Sequence, residues 1–521
     1  MMKMKRTIAM LCAGVLACTG AAALVSDVMQ DAAITAFAAV SVYDGVKYRI
    51  EDDHAAVIGH TDDLPAEVTL PAEIDGKPVT EICRSAFYER VGLKSITLPD
   101  SITVIGENAF DGCSQITSIT IPDSVTSIGD YAFAYSGLTS ITIPKGVTRI
   151  SEHLCYCCFK LERVVIPEGV TEIGLTAFGI CIRLTDVTIP KTVTQFDRDV
   201  FYETPWLKQK QQENPLVIVN QIVIDGKACT GDVKIPQGVT KIVIRAFEGS
   251  DLTGVTIPDS VTVIDEMAFG DCKKLTKVTI PGSVTTFGNY VFLKCPALKA
   301  VTFQEGVTSI GEQMFRDCTA LTDVSIPDSV TNIGQLAFEG CSALTGITIP
   351  DSVTSIESYA FKGCSALTDI TIPDSITSIA FQTFYQCTAL KRVVIPDSVT
   401  EIGDMVFNQC PDVTIFGNTG SYAESYAKEE NIPFRVIGEL LRGDTNGDEK
   451  IGAEDAQLAL QAYVNTLAGK TGALTDAQKK AADVNSDGKI GAEDAQFILQ
   501  YYVNTLAGKT TAWESLIARS K

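Results

Sequence analysis

Pro350-Asp-Ser-Val-Thr-Ser-Ile-Glu-Ser-Tyr-Ala-Phe361-Lys-Gly-Cys364-Ser-Ala-Leu367-Thr-Asp-Ile370-Thr-Ile372-Pro373 is one copy of a unit that fills most of the chain. Prolines mark its beat at Pro99, Pro122, Pro144, Pro167, Pro190, Pro236, Pro258, Pro281, Pro327, Pro350, Pro373 and Pro396. Gln304 keeps the phase where a proline is missing, and the interval from Pro190 to Pro236 spans two periods. Self-similarity at 22 or 23 residues predicts a solenoid, in which no unit buries its own apolar side and stacking buries all of them. Leu367, Ile370 and Ile372 alternate as an inward strand face, and Val353 and Ile356 supply a second inward pair. Ala360, Phe361 and Cys364 are spaced for a single helical turn behind the sheet.

The cysteines follow the same beat. Cys272, Cys295, Cys318, Cys341, Cys364, Cys387 and Cys410 recur every 23 residues, a column of small buried hydrophobes rather than a disulfide framework. His153, Cys155, Cys157 and Cys158 have zinc-like spacing, but register sends Cys155 and Cys158 into the core.

These units resemble the BspA-like, or treponemal-type, leucine-rich repeats, whose Leu-Thr-x-Ile-Thr-Ile-Pro and Ala-Phe-x-x-Cys signatures recur here. The resemblance covers about Pro71 to Gly417. It implies an α/β repeat solenoid with a parallel sheet on its concave side, often part of surface adhesins. In the strand, positions two, three and five face outward. Position five is nearly all threonine, from Thr97 to Thr371, whereas position three varies through Ser118, Arg163, Asp186, Gly254, Lys277, Asp323, Gly346, Asp369 and Arg392. These outward columns lack aromatic residues, which argues against a sugar-stacking groove there. Residues 191–235 break the pattern with Tyr202, Trp206 and a hairpin-like Leu216–Val219 and Ile222–Ile224 pair; Trp206 is either a core anchor or a binding residue.

At the N-terminus, Lys3, Lys5 and Arg6 precede an apolar run and an Ala36-Phe37-Ala38 site. Residues 1–38 therefore read as a secretory signal peptide, and membrane insertion is not expected after its removal. A formal charge of −22 argues against nucleic acid and anionic lipid as partners. Residues 39–70 read as an N-terminal strand cap, 71–417 as the solenoid and 418–440 as a helix-strand cap.

Past Gly443 the composition turns to Asp, Asn, Ala and Gln, and two loops repeat 39 residues apart. The first sets Asp444, Asn446, Asp448, Lys450 and Asp455 at loop positions 1, 3, 5, 7 and 12; the second sets Asp483, Asn485, Asp487, Lys489 and Asp494 there. Oxygen donors at this spacing, with the position-7 carbonyl, suit calcium, one ion in each loop. Glu449 stands where Gly488 eases the turn of the second loop, which predicts weaker binding by the first.

The loops and the helices after them resemble type I dockerins over 441–510, leaving 511–521 as a tail. The resemblance implies a cohesin partner on a scaffoldin of a cellulosome-like, cell-surface complex. It implies that Ala453, Glu454, Leu460, Gln461 and Asn465, with their counterparts Ala492, Glu493, Leu499, Gln500 and Asn504, read that partner. Identity between the two sets allows two docking orientations, although the Ser or Thr common at the first two positions of each set is absent. Caps and repeats occupy the rest of the chain and leave no room for a catalytic domain. The expected function is a secreted, non-catalytic binding protein whose solenoid takes a protein or glycan ligand. A structural spacer is the alternative, and a carbohydrate-active component is a more remote one.

Overall fold

The computed structural model describes residues 39–448, 450–470 and 474–518. The signal-peptide segment and Glu449 fall outside the described residues. The chain divides into two compact units, Met1–Leu321 and Thr322–Lys521.

In both units most repeats contribute two short parallel strands rather than one. In the first, Ser140–Thr142, Arg163–Val165 and Asp186–Thr188 pair in register, while Arg149–Ile150, Glu172–Ile173 and Gln195–Phe196 form a separate parallel ladder. The pair Val353 and Ile356 thus belongs to a second wall, where Asn332–Ile333 pairs Ser355–Ile356. Proline opens a turn between the walls, with the Val353 N–H donating to the Pro350 carbonyl at 3.1 Å.

The Ala-Phe-x-x-Cys segment forms the third side, and it is not a helical turn. The residues two before and two after each core phenylalanine have left-handed backbone, as at Tyr359 (φ 63) and Gly363 (φ 73). This alternation points successive N–H groups along the stack. Tyr359, Phe361 and Gly363 donate to the carbonyls of Phe381, Thr383 and Tyr385 in the next repeat, so a third ladder replaces the helix. The phenylalanines then stack face to face, with centroids 4.8–5.8 Å apart and planes within 10°. Beside them Cys272, Cys295, Cys318, Cys364, Cys387 and Cys410 each donate to the carbonyl of the phenylalanine one repeat earlier, as Cys318 Sγ does to Phe292 at 3.1 Å. All fourteen described cysteines are unbridged. Burial pushes the Cys113 thiol up to about 12.

Gly112, Gly249, Gly340 and Gly363 occupy the second left-handed position, but Lys294 (φ 54) holds it in its own repeat with an exposed side chain. A Cβ in this region costs about 1–2 kcal/mol, and glycine returns part of the relief as backbone entropy. Lys294→Gly is therefore expected to stabilise the protein by about 0.5–1 kcal/mol, read as a higher urea midpoint.

Conserved-looking polar letters of the repeat are structural. Ser124, Ser260 and Ser283 donate to the carbonyls of Ile102, Val239 and Val261 one repeat earlier, at 2.7–2.8 Å. Thr139, Thr276 and Thr368, at strand position two, do the same to Thr117, Thr253 and Thr345. At the variable position three, Arg163 pairs with Asp186 of the next repeat at 3.3 Å.

The first unit begins with the antiparallel strands Ala39–Tyr43, Val46–Ile50 and Ala55–His60, the last of which pairs parallel with Lys77–Ile82 and so starts the ladder. The break at 191–235 holds helix α1 (Pro205–Glu213) and a hairpin of Val217–Val219 and Ile222–Asp225, turning at Asn220 and Gln221 with positive φ. Trp206 is buried against Phe201, centroids 4.5 Å apart, which makes it a core anchor. In the second unit the strand Thr414–Gly417 pairs parallel with Phe434–Val436 across helix α2 (Tyr422–Glu429), whose Ala423 and Ala427 are buried.

Candidate functional site

Residues 442–518 build a small helical body around two loops. Helix α3 (Ala453–Leu467) follows the first loop, α4 (Asp476–Ala482) precedes the second, α5 (Ala492–Leu506) follows it, and α6 (Trp513–Ala518) comes next. Among the described residues no helix lies immediately before the first loop.

The loops are shaped from within by their own carboxylates. In the first, Asp444 Oδ1 accepts from the N–H groups of Gly447 and Asp448 at 2.8 and 3.1 Å, and Asp448 Oδ1 accepts from Lys450 N–H at 2.9 Å. Asp455 spans the loop, one oxygen on Asn446 N–H (2.9 Å) and the other on Gly452 N–H (2.7 Å), where it also caps α3. The second loop repeats these bonds: Asp483 to Asp487, Asp487 to Lys489, and Asp494 to Asn485 and Gly491. Gly447 (φ 83) and Ser486 (φ 60) both take the left-handed bend at position 4, and Gly488 (φ 83) takes the one at position 6.

Donor oxygens of Asp444, Asp448 and Asp455 lie within 4.8 Å of one another, with Asp444 and Asp455 buried. Like charges so close repel one another unless a cation or a proton offsets them, and three hard oxygens with no sulfur or imidazole fit calcium. In the second loop Asp494 is buried, and its desolvation together with the nearby Asp483 and Asp487 pushes its carboxyl upward.

The two helices after the loops present matching faces. Ala453, Glu454, Leu460 and Gln461 are exposed and Asn465 is half-buried; Ala492, Glu493, Leu499, Gln500 and Asn504 repeat that pattern. Gln461 Nε2 donates to Asn465 Oδ1 at 3.2 Å, and Gln500 to Asn504 at 3.1 Å. The sequence reading missed part of each face. Val464 and Leu467 extend Leu460 into an exposed apolar stripe, and Val503 and Leu506 extend Leu499; Leu467 is 70% exposed and Leu506 69%. Spacing of four and then three residues along a helix was the signal that could have shown them.

Trp513–Ala518, within the segment set aside as a tail, packs on this body. Trp513 stacks on Tyr501 with centroids 4.4 Å apart, and Leu516 is buried with Ala459, Val484 and Ile498. Arg442 ties both ends together: its guanidinium bonds the Val484 carbonyl, pairs with Glu514 at 3.0 Å and lies over the Trp513 ring. A core of nine buried residues, four of them alanine, needs that aromatic cover.

Three segments, 80–208, 226–345 and 313–424, match the family of BspA type leucine-rich repeat regions and together cover more than half of the chain. The chain belongs to this family. Residues 442–502 match the dockerin type I domain. Both are non-catalytic module types, the dockerin one that binds calcium and a cohesin in cellulosome-type assemblies, the repeat one that mediates protein interaction. No curated protein matches the chain. Among solved structures, a leucine-rich repeat protein from Bacteroides ovatus is 25% identical, with 76% of this chain and 99% of that one covered at a TM-score of 0.43. One from Eubacterium ventriosum is 23% identical, with 62% and 94% covered at 0.38. A leucine-rich cell surface protein from Faecalibacterium prausnitzii is 23% identical, with 75% and 97% covered at 0.32. No helix among the described residues of this repeat protein is long and apolar enough to cross a membrane.

Proposed function

We propose that this protein is secreted and held non-covalently on a cohesin-bearing scaffoldin by its dockerin, while the repeats contact other proteins of the complex or of a cell surface. Each loop takes one calcium ion, on Asp444, Asn446, Asp448, the Lys450 carbonyl and Asp455, and on Asp483, Asn485, Asp487, the Lys489 carbonyl and Asp494. The observation that carries this reading is duplication: the two loops share their bond pattern, and the two helices offer faces of equal exposure. Either face alone is then sufficient for docking, through Ala453, Glu454, Leu460, Gln461 and Asn465 or through Ala492, Glu493, Leu499, Gln500 and Asn504.

A single charge in one stripe tests this. Leu460→Asp or Leu499→Asp alone is expected to leave cohesin affinity within about threefold, because the unaltered face still docks. Both together should weaken it by about a hundredfold or more. Full loss from one substitution, measured by surface plasmon resonance against a cohesin panel, would refute two equivalent orientations. A spacer role for the repeats is favoured by one observation, the Ser and Thr hydroxyls already committed to the preceding repeat. Retention on whole cells or cell-wall material, absent for a spacer, separates the two.

A further inference from the structure

Exposed large apolar side chains on the repeats are not spread evenly. Tyr88, Val91, Tyr135, Phe159, Ile182 and Tyr202 are exposed, and among the described residues the next such side chain is Met405. In repeat register Tyr88, Tyr135 and Tyr202 fall on the turn side, opposite no strand, one or two places after the core phenylalanines Phe87, Phe133 and Phe201. Where Cys155 replaces the core phenylalanine, the aromatic rings lie outside it. The His153 ring stacks on Tyr131 at 4.3 Å, Tyr156 meets His153 edge-on at 5.4 Å and 83°, and Tyr135 meets Tyr156 edge-on at 5.9 Å and 84°.

The surroundings are acidic. Burial first, and then the charges of Glu152, Asp130, Asp111 and Glu107, hold the Tyr131 phenol above its ordinary value. Of the nearby cations, Arg84 pairs with Glu107 at 3.1 Å and Arg149 with Glu172 at 2.9 Å and Glu152 at 3.8 Å, while Arg198 adds one positive charge on the His153 side. Glu89, Asp111 and Asp130 have no ion-pair partner among the described residues. Burial and Glu89 push the half-buried Asp111 carboxyl up to about 6.

Two chemistries use exposed tyrosines. A run of sugar rings stacks best on several faces lying in one plane, and the perpendicular Tyr135 and Tyr156 do not make one. Ring faces turned toward different directions, rimmed by unpaired carboxylates, suit a compact organic cation, which the ring quadrupoles and the negative field both attract. We propose that this turn face, centred on Tyr135 and Tyr156 and rimmed by Glu89, Asp111 and Asp130, docks a lysine- or arginine-rich segment of a partner protein. The proposal rests on the repeats being the contacting part of the molecule, and it names their surface and the charge of their partner.

Binding of labelled octalysine and octaarginine to the full protein, in calcium and about 0.15 M salt to screen non-specific attraction, tests it. Tyr135→Leu with Tyr156→Leu keeps the net charge and removes the ring faces, and is expected to weaken binding about tenfold. Glu89→Gln with Asp111→Asn, which leaves the turn packing in place, should weaken it severalfold, whereas Asp351→Asn with Asp374→Asn removes the same charge elsewhere and should have little effect. Equal binding by the tyrosine variant and the original protein overturns the proposal, as does equal loss from both acidic variants or no peptide binding at all. Binding of a soluble β-glucan that depends on these tyrosines overturns it in favour of a glycan site. Cohesin capture measured on the same samples keeps the two readings apart: it should persist in every variant, and its absence would count against the dockerin reading only.

Discussion

Asp444→Ala combined with Asp483→Ala is expected to abolish calcium-dependent capture by cohesin and to unfold residues 442–518 while the repeats stay folded. Each aspartate opens its loop, and each turns the loop by accepting backbone N–H bonds, Asp444 from Gly447 and Asp448, and Asp483 from Asp487 and Gly488. Alanine removes a carboxylate ligand and leaves those donors to solvent. Without calcium the remaining carboxylates face one another uncompensated, and the core behind them, four alanines with Leu474, Val484, Phe497, Ile498 and Leu516, is too small to stand alone. Metal-binding free energy is then folding free energy. Hydrogen exchange should show protection lost in α3 and α5 and kept in peptides from the repeats, with a chelator reproducing the result in the unaltered protein. Capture unchanged by the double substitution would sink the calcium assignment.

The parts of this molecule that were legible in the sequence are those where one residue type has one task. The ligand spacing of Asp444 and Asp483 is fixed by the geometry of a cation's oxygen shell, so it is readable without a fold. The period of Phe361 and Cys364 is likewise readable, because a buried column demands the same side chain at every repeat. The backbone between them was not. Ala360 and Phe361 with Cys364 have the spacing of a helical turn, and the left-handed residues that replace the helix are Tyr359 and Lys294 as readily as Gly363 and Gly249. Inter-repeat hydrogen bonds from Phe361 to Thr383 outweigh the local cost, and a local propensity cannot report a bond to the next repeat. Trp513 was missed for a related reason. Its partners Tyr501 and Arg442 lie 12 and 71 positions away in the chain, so only the folded body shows that the tail completes it.

Phe292→Ala is expected to destabilise the array by about 3–5 kcal/mol, and to do so locally. The ring is fully buried between Phe269 and Phe315, at 5.2 and 5.5 Å, so its loss opens a cavity with aromatic faces on two sides. Neighbouring repeats cannot collapse into that space, because their separation is held by three backbone ladders, including the 2.9 Å bond from Phe292 N–H to the Met314 carbonyl. Hydrogen exchange should therefore rise in peptides spanning 269–315 and stay low in the N-terminal strands around Tyr48 and Val57. Nearest-neighbour coupling also sets the double variant: Phe269→Ala with Phe292→Ala should cost less than the two single losses added together, since the second substitution removes a stacking contact the first has already broken. An additive result would mean that the column stabilises each repeat from within, and the ladders alone would then carry the coupling between repeats.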